Sequence, residues 1–317
     1  MQGAAGLPPL SKIVLGCCDF GSRLDESLSF RLLDMYYDAG GRTLDTARVY
    51  ASWLPGGESA SERTVGRWLT ARGRWDAVTV VTKGGHPPLS DMHSPRLSPD
   101  ELRKDLEESL AALGTGCVDV YLLHRDDPAR PVEEIMDTLH AFVKEGKVRA
   151  LGASNWTPGR IAAANAYAAA ADKTPFCLSQ IQWSLAVCRP ADFGDDTLCC
   201  MDEEAYKAYG DMELPVMAFS AQAKGVLSKW LAGERQPDGF IGRVMTAENQ
   251  ARAARLEVVS RQTGYSPAAL ATAFVTSQEV DGYAVIGVSN EKQLADTLTA
   301  ADLRLAPETL RYLTAGV

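Results

Sequence analysis

The sequence predicts a (β/α)8 barrel, an α/β fold of the TIM type in which eight parallel strands alternate with helices. Three observations point to it. Short, β-branched apolar runs alternate with amphipathic segments eight times along the 317 residues, and no linker or shift in composition divides them. Each run is too short and too apolar to be anything but a strand buried on both faces. Polar side chains recur at the carboxyl end of one run after another, which is the end where barrels carry their chemistry. The whole chain, 1–317, reads as one barrel domain with loop insertions.

The elements follow in order. Ile13-Val14-Leu15-Gly16 is the first strand. Residues 26–39 form a helix with Leu28, Leu32, Met35 and Tyr36 on one face, and Gly40-Gly41 stop it. Arg42-Thr43-Leu44 is a very short strand ending at Asp45, with Tyr50 five residues further on. Residues 59–72 are a helix turning Val65, Trp68 and Leu69 inward, and 78–82 are a β-branched strand ending at Lys83. Pro87, Pro88 and Pro95 make 84–99 an irregular loop. Ser98-Pro99-Asp100-Glu101 then opens a helix with a cap, a first-turn proline and first-turn acids; Gly114 closes it after Leu113.

A strand at 118–123 ends at His124 and is followed by a helix over 132–145. A strand at 148–152 ends in Ala153-Ser154-Asn155 and is followed by an alanine-rich helix over 158–171. Strand 178–182 carries Gln180, and strand 216–219 ends in Phe219-Ser220. Helices over 248–264 and 267–275, a strand at 283–286 ending at Gly287, and a helix over 290–299 complete the series.

Bulk properties narrow the function. The net charge of −9 disfavours non-specific binding to nucleic acid or to anionic membranes, both of which require a basic face. No apolar run approaches the ~20 residues of a membrane span. Residues 1–10 lack a signal peptide's basic region and apolar core, so a cytoplasmic location is expected. Seven cysteines form no spaced framework and read as free thiols, and no histidine supplies a metal-ligand spacing. Neither G-x-G-x-x-G after the first strand nor a P-loop is present.

Asp45, Tyr50, Lys83 and His124 are the candidate chemistry. Singly, each has an ordinary reading: a cap, a packed ring, a buried ion pair, a hydrogen-bonded imidazole. Together they suit protonation of an alkoxide forming from a carbonyl. An ammonium beside a phenol favours the phenolate and lowers its pKa; Lys83, held by Asp45, is expected to do this to Tyr50, while His124 orients the carbonyl. His86 and His93, in the proline-rich loop, are expected at the surface. Trp53, Arg125, Trp156 and Trp183 are the candidate substrate contacts, with Asp126-Asp127 beside His124 as further polar groups. Two other functions compete: a nucleotide-sensing barrel with little turnover, and a lyase using Lys83 as a Schiff base.

These residues stand in motifs that resemble the aldo-keto reductase family over nearly the full length. Leu44-Asp45-Thr46-Ala47-Arg48-Val49-Tyr50 is similar to its D-T-A-x-x-Y signature, and Ser61-Glu62-Arg63-Thr64-Val65-Gly66 to the S-E-x-x-[LV]-G that follows. Val81-Thr82-Lys83, Tyr121-Leu122-Leu123-His124 and the run Gly146 to Trp156 resemble its lysine, histidine and G-K-[IV]-R-x-[IL]-G-[VA]-S-N-[FW] motifs. The resemblance implies Tyr50 as general acid/base, tuned by Lys83 and Asp45, acting on a small carbonyl compound or sugar. It implies a nicotinamide cofactor bound without a Rossmann fold. Ser154, Asn155 and Gln180 would hold its carboxamide, and Phe219 would stack on its ring. Ser220, Gln222, Gly225 and Leu227 would line the pyrophosphate; Gly287, Ser289, Asn290 and Gln293 would embrace the adenosine. NADP is the implied cofactor. NAD is the alternative, because Val288 and Gln293 stand where the family favours basic residues and Glu291 is acidic.

Overall fold

The computed structural model describes residues 6–317, so the expectation for residues 1–10 lies partly outside the described residues. Eight parallel strands close into a barrel: β1 (Ile13–Gly16), β2 (Thr43–Asp45), β3 (Thr79–Gly84), β4 (Val118–Leu123), β5 (Val148–Ser154), β6 (Phe176–Gln182), β7 (Val216–Phe219) and β8 (Gly282–Ile286). The closure is made by β8 on β1, with Val285 opposite Val14.

Helices wrap the barrel: α1 (Glu26–Asp38), α2 (Ala60–Arg72), α3 (Pro99–Leu113), α4 (Val132–Lys144) and α5 (Pro158–Ala170). Between β6 and β7 lie α6 (Pro190–Phe193) and α7 (Glu203–Asp211). After β7 come α8 (Val226–Leu231), α9 (Phe240–Val244), α10 (Ala247–Thr263) and α11 (Pro267–Thr276). After β8 come α12 (Glu291–Leu298) and α13 (Pro307–Ala315). Local chemistry sets the boundaries. Ser98 caps α3 in a capping box with Glu101, and Gly114 ends it in the left-handed conformation.

Two apolar cores follow from the two-residue period of the strands. Outward residues such as Leu15, Leu44, Val80, Tyr121 and Leu151 pack under the helices. Inward residues, among them Val14, Val81, Leu122, Leu178, Met217 and Val285, fill the barrel. Two residues further along each of these strands stand Gly16, Lys83, His124, Gln180, Phe219 and Gly287. The floor of the rim is therefore the next inward layer above the barrel core, and Asp45 and Ser154 belong to the same layer on β2 and β5.

The segment 184–214, to which the sequence assigns no element, contains α6 and α7. α6 has only four residues, and α7 buries only Ala205 and Tyr209, so neither carries an apolar face long enough to read. The short α8 and α9 and the final α13, with Leu313 its single buried residue, escape for the same reason.

Candidate active site

A cavity of about 1150 Å³ opens at the carboxyl ends of the strands. Its lining runs from Asp45, Tyr50 and His124 past Ser154, Asn155, Gln180 and Phe219 to Gly287, Ser289, Lys292 and Gln293. Lys83 lies at its base, entirely buried.

Lys83 organises the base. Its Nζ donates to an Asp45 carboxylate oxygen at 2.8 Å, to the Thr46 carbonyl at 2.8 Å and to the Tyr50 hydroxyl at 3.0 Å. An ammonium has three protons, and all three are used. A Schiff base would require this buried, ion-paired nitrogen to lose a proton and abandon all three partners, so the geometry argues against the lyase reading. Asp45, itself buried, accepts a further bond from Gln180 Nε2 at 2.8 Å. Gln180 Nε2 also reaches the Met217 sulfur at 2.9 Å, which leaves Oε1 as the end for a ligand.

Because Lys83 donates to the Tyr50 oxygen, the phenol proton is free to point elsewhere. Burial pushes the Tyr50 phenol well above its ordinary value, and the Asp45 and Cys18 charges push it further. This corrects the expectation that Lys83 lowers it. The Asp45 carboxylate that holds Lys83 also cancels its field, and desolvation of the phenolate then dominates. The resting phenol is a protonated acid.

The His124 imidazole lies edge-on to the Tyr50 ring, centroids 5.8 Å apart. Burial, followed by His86, Arg125 and Lys83, holds it well below the ordinary imidazole range, so it is neutral. Its Nδ1 is buried with no hydrogen-bond partner among the described residues. An orphaned N–H costs more than an under-used lone pair. The proton therefore belongs on Nε2, the nitrogen left to face the cavity.

The remaining predicted residues divide. Asn155, left-handed at φ 57°, lines the cavity with its amide tied to the His124 carbonyl at 3.3 Å, Ser154 Oγ at 3.1 Å and the Cys199 N–H at 3.1 Å. Ser220 and Gly225 line it too, within a turn where Ser220, Ala223 and Lys224 all have positive φ. Such clustering of strained backbone is characteristic of ligand-binding segments. Gln222 lines the cavity but anchors its Nε2 on Thr272 and Thr297. Gln293 accepts the Ser289 N–H at 2.8 Å.

Several expectations are corrected. Leu227 is buried in the outer core and does not line the cavity. Asn290 caps α12, accepting the Gln293 N–H. Trp156 is wholly buried, ring against Phe176 at 5.3 Å, with its Nε1 donating to the Arg125 carbonyl. Trp183 packs on Tyr206 at 5.9 Å. Both indoles fill the barrel–helix interface, where their area is buried best, and neither faces the substrate space. Trp53, 40% exposed, has its ring 6.5 Å from that of Tyr50 but does not itself line the cavity.

Arg125 lines the cavity but is committed to Asp195, Thr197 and the His124 carbonyl at 2.8–2.9 Å. Asp126 pairs with Arg160, and Asp127 accepts the Ala129 N–H; neither lines the cavity. His86 is not a surface residue: it is half-buried against His124, ring centroids 4.7 Å apart. His93 is exposed, as expected.

Cysteine and charge placement were missed. Cys18, Asp19 and Arg23, in the β1–α1 segment, line the cavity, as do Lys224, Lys229 and Lys292. The signal was available for Arg23, since every strand's carboxyl end feeds the same rim. For Lys224, in an irregular turn, and Lys229, on the six-residue α8, it was not, because neither stretch carries a readable period. Arg23, Lys224, Lys229 and Lys292 give the long cavity four cationic side chains. With the amide-rich end near His124 and Phe219, this donor set fits an extended dinucleotide.

Among the described residues there is no cluster of side chains able to hold a metal ion, and no helix is long and apolar enough to cross a membrane. The barrel, the site layer and the cavity together define an oxidoreductase class, and a family model supports it: that of the Aldo/keto reductase family matches residues 12–316. The chain belongs to this family of nicotinamide-dependent enzymes. It is similar to an NADP(+) aryl-alcohol dehydrogenase of Phanerodontia chrysosporium, 28% identical over 96% of this chain and 82% of the relative. It is also similar to a norsolorinic acid reductase of Emericella nidulans, at 29% over 95% and 76%. An uncharacterised oxidoreductase of Bacillus subtilis is 29% identical over 98% and 93%.

Proposed function

We propose that the protein reduces aryl aldehydes to alcohols with NADPH, using Tyr50 as the proton donor. The observation that carries this is the hydrogen-bonding of Lys83, which donates to the Tyr50 oxygen and so frees the phenol proton for a substrate oxygen. The bound nicotinamide supplies a hydride to the carbonyl carbon. His124 Nε2–H and the Tyr50 hydroxyl hold the carbonyl oxygen, and that oxygen takes the Tyr50 proton as its double bond opens. Lys83 stabilises the resulting phenolate, and Asp45 keeps Lys83 in place. Ser154, Asn155 and Gln180 hold the carboxamide, and Phe219 stacks on the ring. Lys292, which lines the far end of the cavity, supports NADPH over NADH by offering a cation to a 2′-phosphate.

The substrate class rests on the mouth. Leu198 offers apolar surface there, the exposed Trp53 ring lies 6.5 Å from Tyr50, and Arg125 is already neutralised by Asp195. Flat aromatic aldehydes suit such a mouth better than sugars, whose hydroxyls need free polar partners. The similarity to an aryl-alcohol dehydrogenase agrees with this choice. Titration with NADPH and NADH by cofactor fluorescence, followed by a panel of benzaldehydes, aliphatic aldehydes and sugars, tests it. Tighter NADPH binding and the highest kcat/KM on benzaldehydes are expected. Cofactor binding without turnover would make the protein a nucleotide sensor, and preference for sugars would refute the substrate class.

A further inference from the structure

His86 follows β3 by two residues and enters none of the roles assigned above. Its ring meets His124 nearly at right angles, at 74°. Its Nδ1 lies 2.7 Å from the Pro87 carbonyl, which can only accept, so Nδ1 carries the proton and Nε2 is bare. Arg96 holds the His86 carbonyl from the far side of the same loop, at 3.3 Å. The residue is therefore fixed at its backbone, at one ring nitrogen and by its stacking.

His124 is pinned in turn. Its carbonyl accepts from Arg125 and Asn155, and its ring is flanked by Tyr50 and His86. What is unusual is its Nδ1, buried and without a partner. A buried polar atom left bare is kept so only if water is shut out. The geometry points to His86 as a positioning residue for His124: its ring walls off the unpartnered Nδ1 from water and so holds the imidazole as the neutral Nε2–H tautomer that faces the carbonyl. This deepens the reductase reading and rests on it only for the use to which His124 puts that proton.

The charges around the pair work in the same direction. His124 faces His86 on the β3–α3 loop, Lys83 on β3, Arg125 beside it and the Tyr50 phenol from the β2–α2 loop. His86 faces Arg125, Arg96 and, from the β6–β7 segment, Asp195. Burial first, then Arg125, brings His86 down to about 4. Two neutral rings thus pack together, and protonating either one places a cation beside Arg125. Removing the His86 ring opens His124 Nδ1 to water, lessens its desolvation and makes it easier to protonate.

The chain contains four histidines, so long-range ¹H–¹⁵N spectra of the uniformly labelled protein resolve each ring without substrate or turnover. In the wild type His124 is expected as the Nε2–H tautomer, still uncharged at a pH where an ordinary imidazole is protonated. In His86→Ala its titration is expected to move up by a unit or more, and in His86→Phe to stay as in the wild type. An Nδ1–H tautomer in the wild type, an unmoved titration in His86→Ala, or a His86→Phe protein behaving like His86→Ala would each overturn the inference. If His86→Ala does not fold, His86→Gln, which keeps the bulk without the ring, is read in the same way. Absence of carbonyl reduction would refute the reductase reading and leave these spectra to judge His86 separately.

Discussion

Replacing Tyr50 by phenylalanine removes one hydroxyl and leaves the ring. Two magnitudes follow. The hydroxyl is the only group the reading has give up its proton to the forming alkoxide, and a positioned general acid contributes about 10²–10⁴-fold. A fall of that size in kcat/KM for aldehyde reduction is expected. The same hydroxyl is also one of the three acceptors of the buried Lys83 ammonium. A lost hydrogen bond to a charged group costs about 1.5–3 kcal/mol. At an unfolding entropy of about 0.7 kcal/mol/K for a chain of this length, the melting temperature drops by about 2–4 °C. The phenol has no structural tie to Ser154, Asn155 or Gln180, so the cofactor Kd is expected to hold within about twofold. Steady-state kinetics, thermal melts and NADPH fluorescence together decide. A variant keeping more than a tenth of wild-type kcat/KM would refute Tyr50 as the donor, whatever its stability.

Four further outcomes are expected. Since burial raises the Tyr50 phenol, its acid form persists through neutral pH; reduction measured by kcat/KM against pH should stay flat there and fall only on the alkaline side. Lys83→Met leaves the buried Asp45 with Gln180 as its remaining donor, so calorimetry should find a loss of about 3–5 kcal/mol, largely regained in the Lys83→Met/Asp45→Leu double variant. Gly66→Ala would put a methyl 2.1 Å from the Leu113 carbonyl, a backbone atom that cannot swing aside, and denaturation should show a loss of at least about 1–3 kcal/mol. Burial raises the Cys18, Cys188 and Cys200 thiols to about 12, so intact-mass analysis after iodoacetamide at neutral pH should show all three slow to react, although Cys18 lines the cavity.

The barrel was legible because its strands are short, apolar and regularly spaced, and because Lys83, His124 and Gln180 each follow an inward apolar residue by two, with Asp45 level with Gly16 on the neighbouring strand. What escaped lacks a period. Lys224 on the cavity wall comes from a turn whose direction is set by strained dihedrals at Ser220, Ala223 and Lys224 that composition does not announce, and Lys229 from the six-residue α8 that follows it. Trp156 and Trp183 were misread because an indole next to a rim position looks the same in sequence whether it turns out to the mouth or back under a helix. His86 was misread because a proline-rich loop suggests exposure, whereas this one folds back over the site and is held there by Arg96. The direction of the Tyr50 shift is set first by burial of the phenol and then by the Asp45 charge, neither of which the sequence displays.

The segment between β6 and β7 is tied to the rim by Asp195 and Thr197 on Arg125 and by the Cys199 N–H on Asn155, to β6 by Cys199 and Met201 on Gln182 and by Tyr209 on Ser179, and to the helices after β7 by Leu185, Val187 and Asp192 on Arg252, Asn249 and Arg243. The groups proposed to move the proton come from β2, β3 and β4 and do not depend on it. On the proposed reading, exchange of this segment would alter the cavity wall at Leu198, as long as a newcomer keeps these ties. The barrel is in that sense a chassis, and an engineer seeking a new aldehyde range would graft residues between Ser184 and Leu214 and leave the machinery beneath untouched.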